Sequence, residues 1–530
     1  MSSTPTAGRP IIGEGRHRAG PRPIVDRLLP RTSERISASL ICMGLGILWV
    51  RPIGSSFWLD ELGTYWVVRG DLPRAVDLAM RYQGQSPAYY VIAWVARTVG
   101  GKSEIALRLP SLAAALAATL LVASLGRRLF GAGAGWASAV AFAATPIVAF
   151  SAIDARPYAF AYLSLAAATV FLVQLADRGD RRSAVAYGAS VAATIHFHLL
   201  FAFALLGHLP FLARRWQGMS SSARRRLLVS ATVAAVLLVP LAAQLPHLVA
   251  HARLPNLPLG SPSFDGLLRT LVPVTLVAGV VLGWVLARAA GPVDLRATAA
   301  EGALALSASL WLAPSVGLLL LSAASGLNLL WPTYARSSAM GWALLLGGAT
   351  AAARPERARR IALMALVTVV LLADGGRPHG GQDWRGAAAT VDRIVDDPRT
   401  PVLMHAAFIE GANVRLLEDP GYRDALLAQR SRYPVEGMIV PVPYNLSPQA
   451  QRYLERRVLP RVETSERFIL VTLEGIAPIR VWLEARLAPV GFVSREIEEG
   501  EHGSVEVTLF ERKMPYAFRV TDAIRDPGIT

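Results

Sequence analysis

Cysteine is almost absent from this sequence: Cys42 is the only one, and it lies within an apolar run. An intramolecular disulfide and any cysteine-built metal site are therefore excluded. Lysine is nearly as scarce, with Lys102 and Lys513 alone, so arginine carries almost all of the formal net charge of +16. That bias is the one expected of a GC-rich, bacterial genome. Charge is sparse as well, 17% of residues against 53% hydrophobic, and the apolar residues fall in long runs rather than in alternation. A polytopic membrane protein is expected. No small-residue cleavage site follows the first apolar run, which reads as an uncleaved anchor. Residues 1–35 ahead of it, rich in Arg, Pro and Gly, read as a disordered cytoplasmic tail.

The apolar runs cover 36–53, 107–126, 133–152, 158–176, 183–197, 199–213, 227–244, 267–288, 302–323, 335–353 and 361–374. They predict about eleven transmembrane helices. The aromatic segment PAYYVIAWVARTV (87–99) is too short to span and reads as an interfacial helix. With it excluded and the N-terminus inside, Arg127, Arg178, Arg214, Arg224, Arg288 and Arg357 all fall in cytoplasmic loops, the positive-inside pattern. Reading 183–213 as a hairpin rather than one helix keeps the pattern intact. After residue 374 the long runs stop. DWRGAAATVDRIV has helical spacing, TPVLMHA, GMIVPVPY and RFILVTLEG read as strands, and SPQAQRYLERRV reads as an amphipathic helix. The fold class is thus an α-helical polytopic membrane protein with interfacial helices and a C-terminal soluble α/β domain, divided as 1–35, 36–374 and 375–530.

This topology puts the remaining polar clusters on one face. FWLDELGTYW (57–66) places Asp60 and Glu61 among aromatics at the bilayer edge, where charge is costly and usually functional. Asp60 has two readings, a cap for the helix that begins there or a general base on an acceptor hydroxyl. Neighbours on a helix point about 100° apart, so only one of the two can face a cleft; Asp60 is assigned to it, and Glu61 to a structural or supporting role. DARPY brings Asp154, Arg156 and Tyr158, and TYARS brings Tyr334 and Arg336, to the same face. Each arginine is either a snorkelling anchor or a fork for a lipid phosphate, and their company with Asp60 favours phosphate. His247 and His251 have i, i+4 spacing without the glutamate of a zinc protease, and His196 and His198 fit a turn better than a ligand pair. No metal or other cofactor is expected, because the outer loops lack a dense carboxylate cluster. GAGAGW (131–136) follows no strand and reads as close helix packing rather than a dinucleotide loop.

The order of these motifs, the aromatic-flanked Asp-Glu, SPAYY, ALRLPS, ARPY, a late Y-x-R and DWR opening the tail, resembles the GT-C superfamily of glycosyltransferases. Within it the chain is most similar to the branch of protein O-mannosyltransferases and the lipid A aminoarabinose transferase, over roughly residues 36–400. The resemblance implies an enzyme, mannosyltransferase- or arabinosyltransferase-like, that moves a sugar from a polyprenyl-phosphate donor to an extracytoplasmic glycan, lipid or protein, with inversion. It implies Asp60 as catalytic base, Asp154 as a second acid, and Arg156 or Arg336 as holder of the donor phosphate, with Tyr158, Tyr334, Tyr89 and Gln85 nearby. Relatives often carry Lys or His just before the proline of the P-x-Y-Y segment, where this chain has Gln85 and Ser86. Membrane lipids are partners and nucleic acid is not. The location implied is the bacterial plasma (inner) membrane, with the active site and C-terminal domain extracytoplasmic. Two alternatives compete: a non-catalytic scaffold that binds polyprenyl lipid, and a flippase or transporter of lipid-linked sugar. The latter is disfavoured because the spans 133–152, 158–176, 227–244 and 302–323 contain no charge, 361–374 carries only Asp374 at its very end, and no repeat is visible.

Overall fold

A helix satisfies its own backbone hydrogen bonds, which is the condition for crossing a bilayer, and every long apolar run of this chain folds as helix. The computed structural model describes residues 32–82, 86–244, 246, 262–296, 299–376, 378–473, 477–497 and 502–513. Among the described residues six helices are long and apolar enough to span: Arg35–Gly54, Glu104–Phe130, Tyr158–Arg178, Ser221–Ala242, Ala303–Ser325 and Glu356–Gly381. Two more candidates are bent pairs, Ala132–Ala144 with Pro146–Ala152 at 74° and Phe264–Leu271 with Val274–Ala289 at 53°. Each bend has a proline beside it, Pro146 or Pro273, where the missing N–H interrupts the helical ladder. The other predicted segments are short: Arg181–Phe197, the broken run from Leu199 to Arg215, and Ala339–Ala352. The expectation of about eleven spans therefore stands as helical segments, but only some are long enough to span by themselves.

Contacts sort the loops to two ends. At one end Arg215 pairs with Asp177 at 2.6 Å and reaches Glu301 at 3.4 Å, the Ala300 N–H donates to the Leu129 carbonyl, and Asp294 pairs with Arg354 in a two-residue ladder. These are the arginine-bearing loops. At the other end Arg108 donates to the carbonyls of Ile53 and Ser55, both at 2.8 Å, and Arg51 donates to that of Gly376. The first helix thus finishes where the helix Glu104–Phe130 begins, and the intervening helix Pro87–Gly100, of 14 residues, is shorter than a span. Between the ends, Gly279 and Gly283 let two helices meet at their backbones: a Cβ on Gly283 would lie 2.6 Å from the Ala362 Cα. Leu120, Leu228, Val239, Leu304 and Leu320 remain exposed on the helix surfaces, which suits contact with hydrocarbon.

After the last apolar helix the chain forms a five-stranded mixed sheet of β1 (Pro401–His405), β2 (Met438–Val442), β3 (Arg467–Leu473), β4 (Phe492–Glu496) and β5 (Val505–Arg512). The order is β2-β1-β3-β5-β4, with the β2-β1-β3 part parallel and the rest antiparallel. The strands read from TPVLMHA, GMIVPVPY and RFILVTLEG are β1, β2 and β3, and DWRGAAATVDRIV supplies the helix Trp384–Ile394. This domain is not separate from the outer loops. Phe57, Leu62, Trp66 and Tyr90 share one apolar core with Trp384, Val402, Ile469 and Val507. Polar links lock the joint: the Tyr433 hydroxyl accepts from the Phe57 N–H at 2.9 Å and donates to Glu104 at 2.6 Å, while Trp66 and Arg69 both bond Asp424. Replacing Tyr433 with Phe leaves a buried N–H and a buried carboxylate short of a partner, at about 1–3 kcal/mol each. Amides of Leu59–Val68 are expected to exchange hydrogen faster in that variant while the membrane helices do not. Unchanged exchange would show that the apolar core alone holds the joint.

Candidate functional site

Asp60 does not cap its helix. The cap of Leu59–Val68 is Trp58, in extended conformation, and its N–H is received by Glu61 Oε2 from the third helical position at 3.3 Å. The capping reading of Asp60 is thereby corrected: a carboxylate closes the first turn, but it is Glu61 that reaches back. Asp60 is left free to face outward, 32% of its side chain exposed, with Oδ2 3.7 Å from the Arg156 guanidinium.

Glu61 holds this arrangement from beneath. It is fully buried, and its two oxygens accept from Arg108 Nη2 at 2.5 Å and Nε at 2.8 Å, from the Ala155 N–H at 2.8 Å and from Trp58. Arg108, equally buried, spends its remaining donors on the carbonyls of Ile53, Ser55 and Ser56. One ion pair therefore fixes the entry of the Asp60 helix, the start of the next span and the 154–156 loop relative to one another. Asp154 is buried, accepts from Trp58 Nε1 at 3.0 Å and does not line the cavity in front of Asp60. Arg156 follows it, its N–H donating to the Asp154 carbonyl at 2.7 Å, which turns the guanidinium toward Asp60.

Asp60, Arg156 and Tyr334 line one cavity of about 440 Å³, whose far wall comes from the soluble domain: Glu410, Tyr422 and Tyr444. Arg336 is buried one layer behind, with Nε donating to the Thr333 carbonyl at 2.7 Å and the guanidinium stacked 3.5 Å over the Tyr158 ring. Burial pushes the Asp60 carboxyl above its ordinary range; Arg156 and Arg336 oppose that shift and Asp154 adds to it. Tyr90 is hydrogen-bonded to Arg156, and burial raises its hydroxyl to about 12, so it stays protonated. The tyrosine of SPAYY that meets Arg156 is thus Tyr90. Tyr89, predicted for that place, is buried against Phe160 and does not line the cavity, because successive helical residues point apart. Gln85, His247 and His251 lie outside the described residues. His196 and His198 diverge at a helix end, the first bonding Ser86 and the Leu237 carbonyl, the second stacked near Tyr158.

Glu61, Asp154 and His379 form the one group among the described residues with spacing suited to a metal ion. His379 Nε2 lies 3.6 Å from Asp154 and 3.9 Å from Glu61, and neither it nor Asp154 Oδ2 has a hydrogen-bond partner. The donor set does not fit. Glu61 already accepts four hydrogen bonds and is neutralised by Arg108, which leaves two free ligands where a site needs three or four. Sequence reading missed Arg108, His379 and the soluble-domain wall. Arg108 had a visible signal, an ionisable residue at the head of an apolar span just after a loop with a surplus acid; Glu410, Tyr422 and Tyr444 had none.

Residues 84–249 match the family described as dolichyl-phosphate-mannose-protein mannosyltransferase, a stretch that contains Asp154 and Arg156 but not Asp60 or Arg336. Among solved structures the chain is similar to ArnT from Cupriavidus metallidurans, in the apo state (TM-score 0.56, 14% identity) and bound to undecaprenyl phosphate (TM-score 0.54, 12% identity). In both comparisons 90% of this chain and 98% of the other is covered. No curated protein matches by sequence. At this identity the likeness is one of fold: a helical polytopic membrane fold like that of ArnT.

Changing Arg108 alone to Met strands the Glu61 carboxylate in the interior and is expected to cost about 3–5 kcal/mol. Changing Glu61 to Gln in the same chain is expected to restore most of the loss. Thermal unfolding of the purified single and double variants checks this; a single variant as stable as the parent would remove the pair from its central place.

Proposed function

We propose that this protein transfers a sugar from a polyprenyl-phosphate donor to an acceptor on the outer side of a bacterial plasma membrane, with inversion at the anomeric carbon. The observation that carries the reading is the pairing of Asp60 with Arg156 on the wall of one cavity at the seam between apolar helices and a soluble domain. A lipid donor reaches such a seam laterally and an acceptor reaches it from water. The arginine-bearing loops gathered at the opposite end support an orientation with the cavity outside.

In this mechanism the acceptor hydroxyl enters beside Asp60, which takes its proton as oxygen attacks the anomeric carbon from the face opposite the leaving phosphate. A carboxyl raised by burial is a better base than one in water, and Arg156 keeps it ionised. The same guanidinium, with Arg336 behind it, receives negative charge developing on the departing polyprenyl phosphate. Tyr158 orients Arg336 by stacking, Tyr90 orients Arg156, and Tyr334 lines the cavity beside them. Asp154 positions Arg156 and the Trp58 ring rather than touching substrate. The undecaprenyl phosphate held by ArnT supports a donor of this chemical class; sugar and acceptor are left to the assay below. A purely lipid-binding scaffold would not need a raised carboxyl facing an open cavity.

Asp60→Asn keeps the shape and loses the base. Release of polyprenyl phosphate and acceptor glycosylation, followed by mass spectrometry with a panel of polyprenyl-phosphate sugars and envelope extract, are expected to fall about 10²–10⁴-fold with the melting temperature unchanged. Turnover equal to the parent would reduce Asp60 to a bystander. A second expectation concerns pH. Because Arg156 lowers the Asp60 pKa, Arg156→Gln raises it, and the acidic limb of the kcat profile should move to higher pH, apart from any loss of rate. A limb that stays in place would mean that another group supplies the base.

A further inference from the structure

The loops that close the candidate active site continue into a second, strongly basic concavity. The chain leaves the carboxyl end of β1, passes Glu410 at the cavity wall, and then lays Arg415 and Glu418 along a groove of about 870 Å³. It leaves the carboxyl end of the parallel neighbour β2, passes Tyr444 at the same wall, and lays Gln449, Arg452, Arg456 and Arg457 along the opposite side. The Tyr444 N–H donates to the Gly411 carbonyl at 3.1 Å, tying the two loops together at the point where cavity gives way to groove. Loops beyond the carboxyl ends of parallel strands are where sheets of this kind bind ligands.

Four guanidinium groups face one carboxylate there. Arg457 spans the groove to Glu418 at 3.3 Å, and Glu455, the acid within the arginine run, is turned away to Arg486 at 2.9 Å. Among the described residues Arg415, Arg452 and Arg456 have no carboxylate partner, and all three are exposed. Arg452 and Arg456 repel each other at i, i+4 on one helical face, an arrangement that weakens a helix unless something neutralises it. The backbone also departs from a regular helix at this place, with a π-helical turn over Leu454–Val458 in the middle of the run. Such turns re-aim side chains and concentrate at functional sites.

We propose that this groove binds a phosphate-bearing glycan, the acceptor or the growing chain to which it belongs, and feeds it toward Asp60. This rests on the transferase reading, since it gives the acceptor a chemical class. Planar guanidinium forks suit phosphate oxygens in pairs, a polar open groove suits a sugar backbone, and the loops shared with the cavity set the direction of approach.

The test uses the full chain in lipid nanodiscs and separates binding from turnover. An oligosaccharide bearing phosphate monoesters, its dephosphorylated form, inorganic phosphate and phosphatidylglycerol vesicles are each titrated against the parent and the Arg452→Gln, Arg456→Gln double variant. The parent should bind the phosphorylated oligosaccharide in a salt-sensitive way and the dephosphorylated form at least about tenfold more weakly. The double variant should lose about tenfold or more for the phosphorylated form, with its melting temperature and its donor cleavage toward a simple alcohol unchanged. Equal affinity in both proteins, or glycan affinity no better than that of inorganic phosphate, overturns the proposal, as does a loss confined to vesicles, which would mark a membrane-facing patch. Donor cleavage absent from the parent would instead overturn the transferase reading while leaving the binding result to stand or fall by itself.

Discussion

The Glu61–Arg108 pair is the contact on which the outer half of this molecule depends. Neither charge is exposed to solvent, and each is matched by the other and by further hydrogen bonds, so the desolvation cost of burying both is met locally. In meeting it, the pair joins three parts of the chain far apart in sequence: the turn after the first helix, the head of the next span and the 154–156 loop. Asp60 and Arg156 face each other because one adjoins Glu61 in sequence and the other adjoins Ala155, whose N–H Glu61 receives. A transferase of the proposed kind needs a carboxylate in a fixed position with a guanidinium close by, and here both are held by one buried charge.

In the proposed transferase the boundary between lipid and water gives that pair its use. The helices supply an apolar approach, and the soluble domain supplies a polar wall through loops that follow β1 and β2. The two halves share a core in which Trp66 and Tyr90 pack with Trp384 and Val402, so the wall is held to the membrane domain by packing as well as by Tyr433 and Asp424. His379 shows how tightly the seam is drawn: its ring lies 4.2 Å from that of Phe150, and Gly380 beside it adopts φ +70° where any Cβ would strike Trp58.

Much of the fold was legible from the chain because hydrocarbon imposes a simple rule. Long apolar runs became helices, and the segment read as too short to span is the 14-residue helix Pro87–Gly100. Span length was less legible, since packing and proline let Phe264–Leu271 with Val274–Ala289 bend and let Arg181–Phe197 stay short. Of the site, Asp60, Arg156, Tyr334 and Arg336 were assigned to one face, because topology alone puts their loops at one end; that Arg336 lies one layer behind the cavity was not legible. The choice between Tyr89 and Tyr90 was not legible, since it turns on the rotation of one helix against its neighbours.

The sequence by itself determined which segments enter the membrane and which loops share a face, since both follow from hydropathy and charge summed over many residues. Only the tertiary structure decided which carboxylate would close the helix and be buried on Arg108, which would take the Trp58 indole and which would be left to face the cavity. Asp60, Glu61 and Asp154 are alike in chemistry, and what separates them is their partners, supplied by residues up to several hundred positions away. Pairwise geometry at that range is set by packing, and no local pattern in the chain encodes it.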